Sequence, residues 1–121
     1  MKDFNIYLNY CKIIKDFSLI NLSNLTASQI DLLLQENDID IKYYLARNPS
    51  LTASQIDLLL KESDINIKYF LAQNSRLTTS QVDLLLQEND MYIRYYLLKN
   101  NLSRKIKIKI MKQVIKENVF K

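Results

Sequence analysis

Apolar residues fall in short clusters three and four apart, and the clusters recur every 26 positions. Ile30, Leu33 and Leu34 form the first, repeated by Ile56, Leu59 and Leu60 and by Val82, Leu85 and Leu86. Between these lie Ile41, Tyr44 and Leu45, then Ile67, Phe70 and Leu71, then Ile93, Tyr96 and Leu97. Spacing of i, i+3, i+4 gathers side chains on one face of an α-helix, so each period predicts two amphipathic helices. The units run from Leu25 to Ser50, Leu51 to Arg76, and Leu77 to Asn101, the last one residue short. The first two agree at 19 of 26 positions. Neither helix of such a unit can bury its apolar face alone, and stacking neighbours supplies the missing cover. The predicted fold is therefore all-α: a right-handed α-solenoid of three 26-residue helical hairpins, one domain over residues 1–121.

Polar positions mark the helix starts. Thr26, Thr52 and Thr78 are each followed three residues later by Gln29, Gln55 and Gln81, the spacing of a capping box. Leu25, Leu51 and Leu77 precede the caps, and Ile30, Ile56 and Val82 stand where a hydrophobic staple closes. Asp38, Asp64 and Asp90 are the expected N-caps of the second helices. Asn48, Asn74 and Asn100 are expected to end those helices in the left-handed conformation, which Asn tolerates best after Gly. Pro49 sits just past one such end.

The flanks read as caps. Residues 1–24 resemble half a unit, with Phe4, Tyr7, Leu8, Cys11 and Ile14 on one stripe and a degenerate second helix near Ile13 to Leu22. Residues 102–121 restart the first-helix pattern at Leu102 and Ser103 and form a basic C-terminal capping helix, with Ile106, Ile110, Met111, Val114 and Ile115 as its apolar face. Lys105 to Ile110 alternates like a strand for only six residues and has no partner strand, so helix is the expectation.

Composition removes several function classes. The chain has no Gly, hence none of the phosphate-cradling loops that need positive φ and close backbone approach. It has no His, the most common general base and metal ligand. Its carboxylates recur at fixed repeat positions (Asp31, Asp57 and Asp83; Asp38, Asp64 and Asp90), the mark of structural use, whereas a catalytic pair needs unlike environments. No enzyme activity, cofactor or metal is expected. Cys11 is the single cysteine, so no internal disulfide is possible and a reducing compartment is expected; its place in an apolar stripe puts it in the core. The opening Met1 to Asn5 lacks the order of a secretory signal, and no apolar run is long enough for a membrane span, so a cytoplasmic protein without membrane contact is expected.

The string Asp38-x-x-Ile41-Lys42-x-x-Leu45-Ala46-x-Asn48-Pro49-x-Leu51-Thr52-x-x-Gln55-Ile56 resembles the bacterial leucine-rich repeat variant family, related in pattern to HEAT-like α-solenoids. Asp64-x-x-Ile67-Lys68 and Asp90-x-x-Ile93-Arg94 repeat its core, so the likeness covers residues 25–101. It departs from that family in having Asn-Pro once and a slightly longer unit, and the cysteine cluster of the family's iron–sulfur segment is missing. The resemblance implies a curved helical scaffold for protein or nucleic-acid contact.

On a helical wheel with Ile41, Tyr44 and Leu45 inward, Tyr43 points outward with Lys42 beside it. Tyr69 with Lys68 and Tyr95 with Arg94 repeat the pair, giving a basic and aromatic ladder as the candidate partner-binding site. The plainer alternative has Lys42 pairing with Asp38 along its own helix while Tyr43 covers the seam between units. Charge is uneven: residues 25–101 sum to −3 and residues 102–121 to +6. Lys105, Lys109, Lys112 and Lys116 form one basic stripe on the last helix, suited to phosphate, to an acidic partner or simply to solvent. Because the array itself is slightly acidic, a noncatalytic scaffold for protein–protein interaction is the first expectation and a nucleic-acid-binding module the second. A small partner-blocking inhibitor encoded by a phage or mobile element is a third. The Asn, Ile, Lys and Tyr content hints at an AT-rich bacterial or phage source.

Overall fold

The computed structural model describes residues 25–119 and the side-chain surroundings of residues 25–116. The N-terminal cap expected over residues 1–24, Cys11 included, lies outside the described residues. Among those described the chain is all-helical and holds no strand. Its helices are α1 (Ala27–Leu34), α2 (Ile39–Leu45), α3 (Ala53–Leu60), α4 (Ile65–Leu71), α5 (Thr79–Leu86), α6 (Met91–Lys99) and α7 (Arg104–Val119). The alternating stretch Lys105 to Ile110 is thus the start of α7. No helix among the described residues is long and apolar enough to cross a membrane.

Each unit contributes two short helices that pack on each other, α1 on α2, α3 on α4 and α5 on α6. Between units α2, α4 and α6 are successive neighbours, α3 lies against α5, and α7 packs on α6. The apolar stripes meet in one cluster, in which Ile30, Leu33, Ile41, Leu45, Ile56, Leu59, Ile67, Leu71, Val82, Leu85, Ile93 and Leu97 are all buried. Helices of seven to nine residues are too short to persist alone in water, so this shared burial holds them.

The predicted starts form as expected. In each capping box the Thr hydroxyl accepts from the Gln backbone N–H at 3.2 Å, while the Gln Oε1 accepts from the Thr N–H at 2.9 to 3.0 Å. Asp38, Asp64 and Asp90 each accept from the two backbone N–H groups that open their helix.

Two further uses of these polar residues emerge only in three dimensions. The Gln55 amide donates back to Ala27 O (3.0 Å) and Asp31 Oδ1 (2.9 Å), and Gln81 repeats this with Ala53 O and Asp57 Oδ1, both at 2.9 Å. One buried side chain therefore caps its own helix and ties it to the preceding unit. The expected left-handed ends at Asn48, Asn74 and Asn100 are not found. Positive φ occurs instead at Asn37 (51°) and Asn89 (53°), in the break between the two helices of a unit. Asn48, Asn74 and Asn100 are buried and form a row: the Asn74 amide donates to Asn48 O (3.4 Å), and that of Asn100 to Ala72 O and Asn74 O, both at 2.8 Å. A buried junction leaves carbonyls without water, and Asn supplies a donor to them.

The last helix departs from the pattern in a related way. Ile106 occupies the place of Gln81 and cannot reach back; Asp83 is met instead by Lys109 at 2.7 Å. Of the five residues expected on its apolar face, Ile110 is buried and Ile106 and Val114 pack against the core, whereas Met111 and Ile115 are exposed. The expected stripe was too wide because, among the described residues, α7 has neighbours on one side only.

Candidate functional site

The ladder proposed from the wheel is only partly a surface. Lys42 forms an ion pair with Glu62 of the following unit and donates to Asn37 Oδ1 at 2.8 Å, and Lys68 repeats the pair with Glu88. In place of the pairing with Asp38 expected in the plainer alternative, Lys42 reaches across the seam, while Asp38 Oδ1 accepts from the backbone N–H groups of Asp40 and Ile41. Arg94 donates to Asn89 Oδ1 at 2.9 Å.

Tyr43 and Tyr69, expected outside, are half-buried. The Tyr43 ring meets Phe70 edge-on, with centroids 5.1 Å apart. Tyr69 packs against Tyr92 and Tyr96, both at 6.0 Å, and its hydroxyl lies 3.2 Å from Asp90 Oδ2. Expected to face solvent, both rings instead pack against the core cluster at the seam with the following unit. Burial, with the hydrogen bond to Asp90 and its negative charge, holds the Tyr69 hydroxyl above its ordinary pKa of 10.0. Tyr95 alone of the three stays open, at 51% exposure.

Around Tyr95 lies a surface that the wheel did not single out. Met91 and Tyr92 are 67% and 54% exposed on the same helix. Lys99 sits over the Tyr95 ring at 5.0 Å and donates to its hydroxyl at 3.0 Å, a contact that raises the lysine pKa above its ordinary range. A groove floored by Tyr95, Tyr96 and Asn100 opens beside it and continues, past Gln73 and Ser75, into a second groove where Arg47 stands over the Phe70 ring at 5.1 Å. The clue was present in the sequence: where the first two units carry Ile39-Asp40 and Ile65-Asn66, the third carries Met91-Tyr92, exchanging a polar residue for a ring.

The basic stripe is real as a surface, since Lys105, Lys109, Lys112 and Lys116 are all exposed on α7. Lys109 is spent on Asp83. A shallow hollow runs from Ile106 and Ile108 to Lys105 and Lys112, bringing apolar and cationic groups together. Among the described residues no three His, Cys, Asp or Glu side chains gather as a metal-binding group. Searches of family models, curated proteins and solved structures return no match to the chain.

Proposed function

We propose that the chain is a right-handed α-solenoid of three 26-residue hairpins, flanked by capping segments, and that it works as a noncatalytic scaffold binding a protein partner. The resemblance to the leucine-rich repeat variant pattern supports the same reading. The observation that carries it is the fate of the basic and aromatic ladder. Two of its cations are taken up by Glu62 and Glu88, and two of its rings lie in the seams between units. Of its rings Tyr95 stays outside, and with Met91 and Tyr92, exposed on the same helix, it forms an apolar and aromatic patch of the kind that anchors protein interfaces. A nonspecific nucleic-acid groove would instead need free cations along the array.

The exposed lysines of α7 favour a second reading, binding to nucleic-acid phosphate, and one set of measurements separates the two. The full chain is used to capture partners from host lysate treated with nuclease, and is titrated in parallel with arbitrary single- and double-stranded oligonucleotides. For a protein partner, changing Lys105, Lys109, Lys112 and Lys116 to Gln slows association, while Tyr95→Ala speeds dissociation. Tight oligonucleotide binding at physiological salt, lost with the four lysines and indifferent to Tyr95, moves the function to α7 and nucleic acid. In that case the salt slope flattens by up to about four phosphate contacts.

A further inference from the structure

We propose that the C-terminal end of the array holds an open slot for one more second-row helix, and that an acidic amphipathic helix of a partner protein fills it. The inference rests on the protein-binding reading above and adds the surface and the chemistry of the partner.

The slot continues an interface that the chain already makes twice. Tyr43 of α2 faces forward onto Phe70 of α4, and Tyr69 of α4 faces forward onto Tyr92 and Tyr96 of α6. Tyr95 is the next rung. Among the described residues its ring contacts lie within its own helix, to Tyr96 and Lys99, and half of its surface is bare. The forward face of α6 thus repeats those of α2 and α4, and among the described residues no second-row helix covers it.

The last helix explains why nothing from its own unit folds back there. Leu102 takes the place of Leu77, so Met111 corresponds to Leu86 and Ile115 to Asp90. Asp90 caps a returning second helix. Ile115 cannot cap, and α7 runs on through that point for 16 residues where α5 stops after 8. Leu86, in a hairpin with both helices, is 4% exposed; Met111, at the same place without a returning helix, is 45% exposed. Two separate helices therefore present uncovered apolar side chains at the same missing element.

Charge identifies the occupant. Alpha 7 carries Arg104 and five lysines against Glu117, so a second copy would bring two such helices together in repulsion. A helix with acidic residues is drawn to the same edge. The internal interface sets the rest of the pattern: the ring of each second-row helix meets an aromatic ring of the next, Tyr43 against Phe70 and Tyr69 against Tyr92. The fitting partner is an acidic helix with an aromatic ring that meets Tyr95 edge-on, as Phe70 meets Tyr43.

The test uses a fluorescent, hydrocarbon-stapled peptide with the sequence of residues 62–73 carrying Lys68→Glu, titrated by anisotropy with the full chain. That substitution lies on the forward side of the helix, which stays in solvent when the peptide docks, and makes the probe more acidic. Saturable binding is expected, weakened at least about tenfold by Tyr95→Ala or by Met111→Asp in the chain, and by Phe70→Ala in the peptide. Circular dichroism should show both chain variants folded, since each changed side chain is exposed. Absence of binding, or binding indifferent to Tyr95 and Met111, overturns the slot. Self-association in sedimentation that Tyr95→Ala abolishes gives the site to a second copy, and displacement of the peptide by an oligonucleotide gives it to nucleic acid; either overturns the acidic helix. Capture of a native protein partner that survives Tyr95→Ala and Met111→Asp leaves the scaffold reading standing while this surface fails.

Discussion

At Asn100 a single amide donates to two carbonyls of the preceding unit, Ala72 O and Asn74 O. Removing it leaves buried acceptors without a donor, so Asn100→Ala is expected to destabilise by about 1 to 3 kcal/mol, whereas the neighbouring exposed Asn101→Ala stays within about 0.5 kcal/mol. Urea denaturation of the two variants checks the contrast. Tyr69 gives a pH-dependent counterpart. Its folded pKa is raised, so the fold favours the neutral hydroxyl. That contribution is fully present below the ordinary value of 10.0 and is lost as pH rises through the higher folded value. Stability measured on either side of this range should fall with alkalinity less steeply in Tyr69→Phe than in the parent chain. The same burial decides what a triple Tyr43, Tyr69 and Tyr95 to Ala variant would do. Its first two changes excavate the seams between units, so loss of fold is expected from it, and Tyr95→Ala is the variant that isolates the surface.

Among the helices, the Thr-Gln capping box was readable residue by residue because it is local: both hydrogen bonds span three positions. Thr52→Ala should cost about 1 kcal/mol, with helix content by circular dichroism otherwise kept. Gln55 makes a stronger case, since it serves the cap and the preceding unit together. Gln55→Ala is expected to cost more than Thr52→Ala, and a double-mutant cycle with Asp31→Ala should show coupling of about 0.5 kcal/mol or more. Additivity of the two changes would mean that the contact across units contributes nothing. The end of α7 illustrates the opposite case. Its periodicity drew a five-residue apolar face, but only Ile106, Ile110 and Val114 find a neighbour. Period alone says which residues share a face, while burial depends on what is set against it.

For the molecule as a whole, each unit touches mainly the next, so stability should be distributed along the stack with the middle favoured. Native-state hydrogen exchange is expected to be slowest in α3 and α4, covered from both sides, and faster in α7, covered from one. Slowest exchange in α7 would show that the C-terminal helix is a core element and remove the basis for an open end.

Over residues 25–101 the sequence by itself determined the helices, their starts and most of the residues that line the core, because 3.6-residue periodicity and capping act over a few positions and were written three times. Tertiary structure decided which polar and aromatic residues remain available. Lys42 chose Glu62, twenty positions away, over Asp38, four positions away, and Tyr43 became half-buried because Phe70 came to lie against it. Asn48 and Asn74, read as helix ends, became a buried hydrogen-bonded row for the same reason. A repeated residue meets its counterpart's neighbours only once the units are stacked, and among the described residues the ring of the third unit, which no further second-row helix covers, stays exposed.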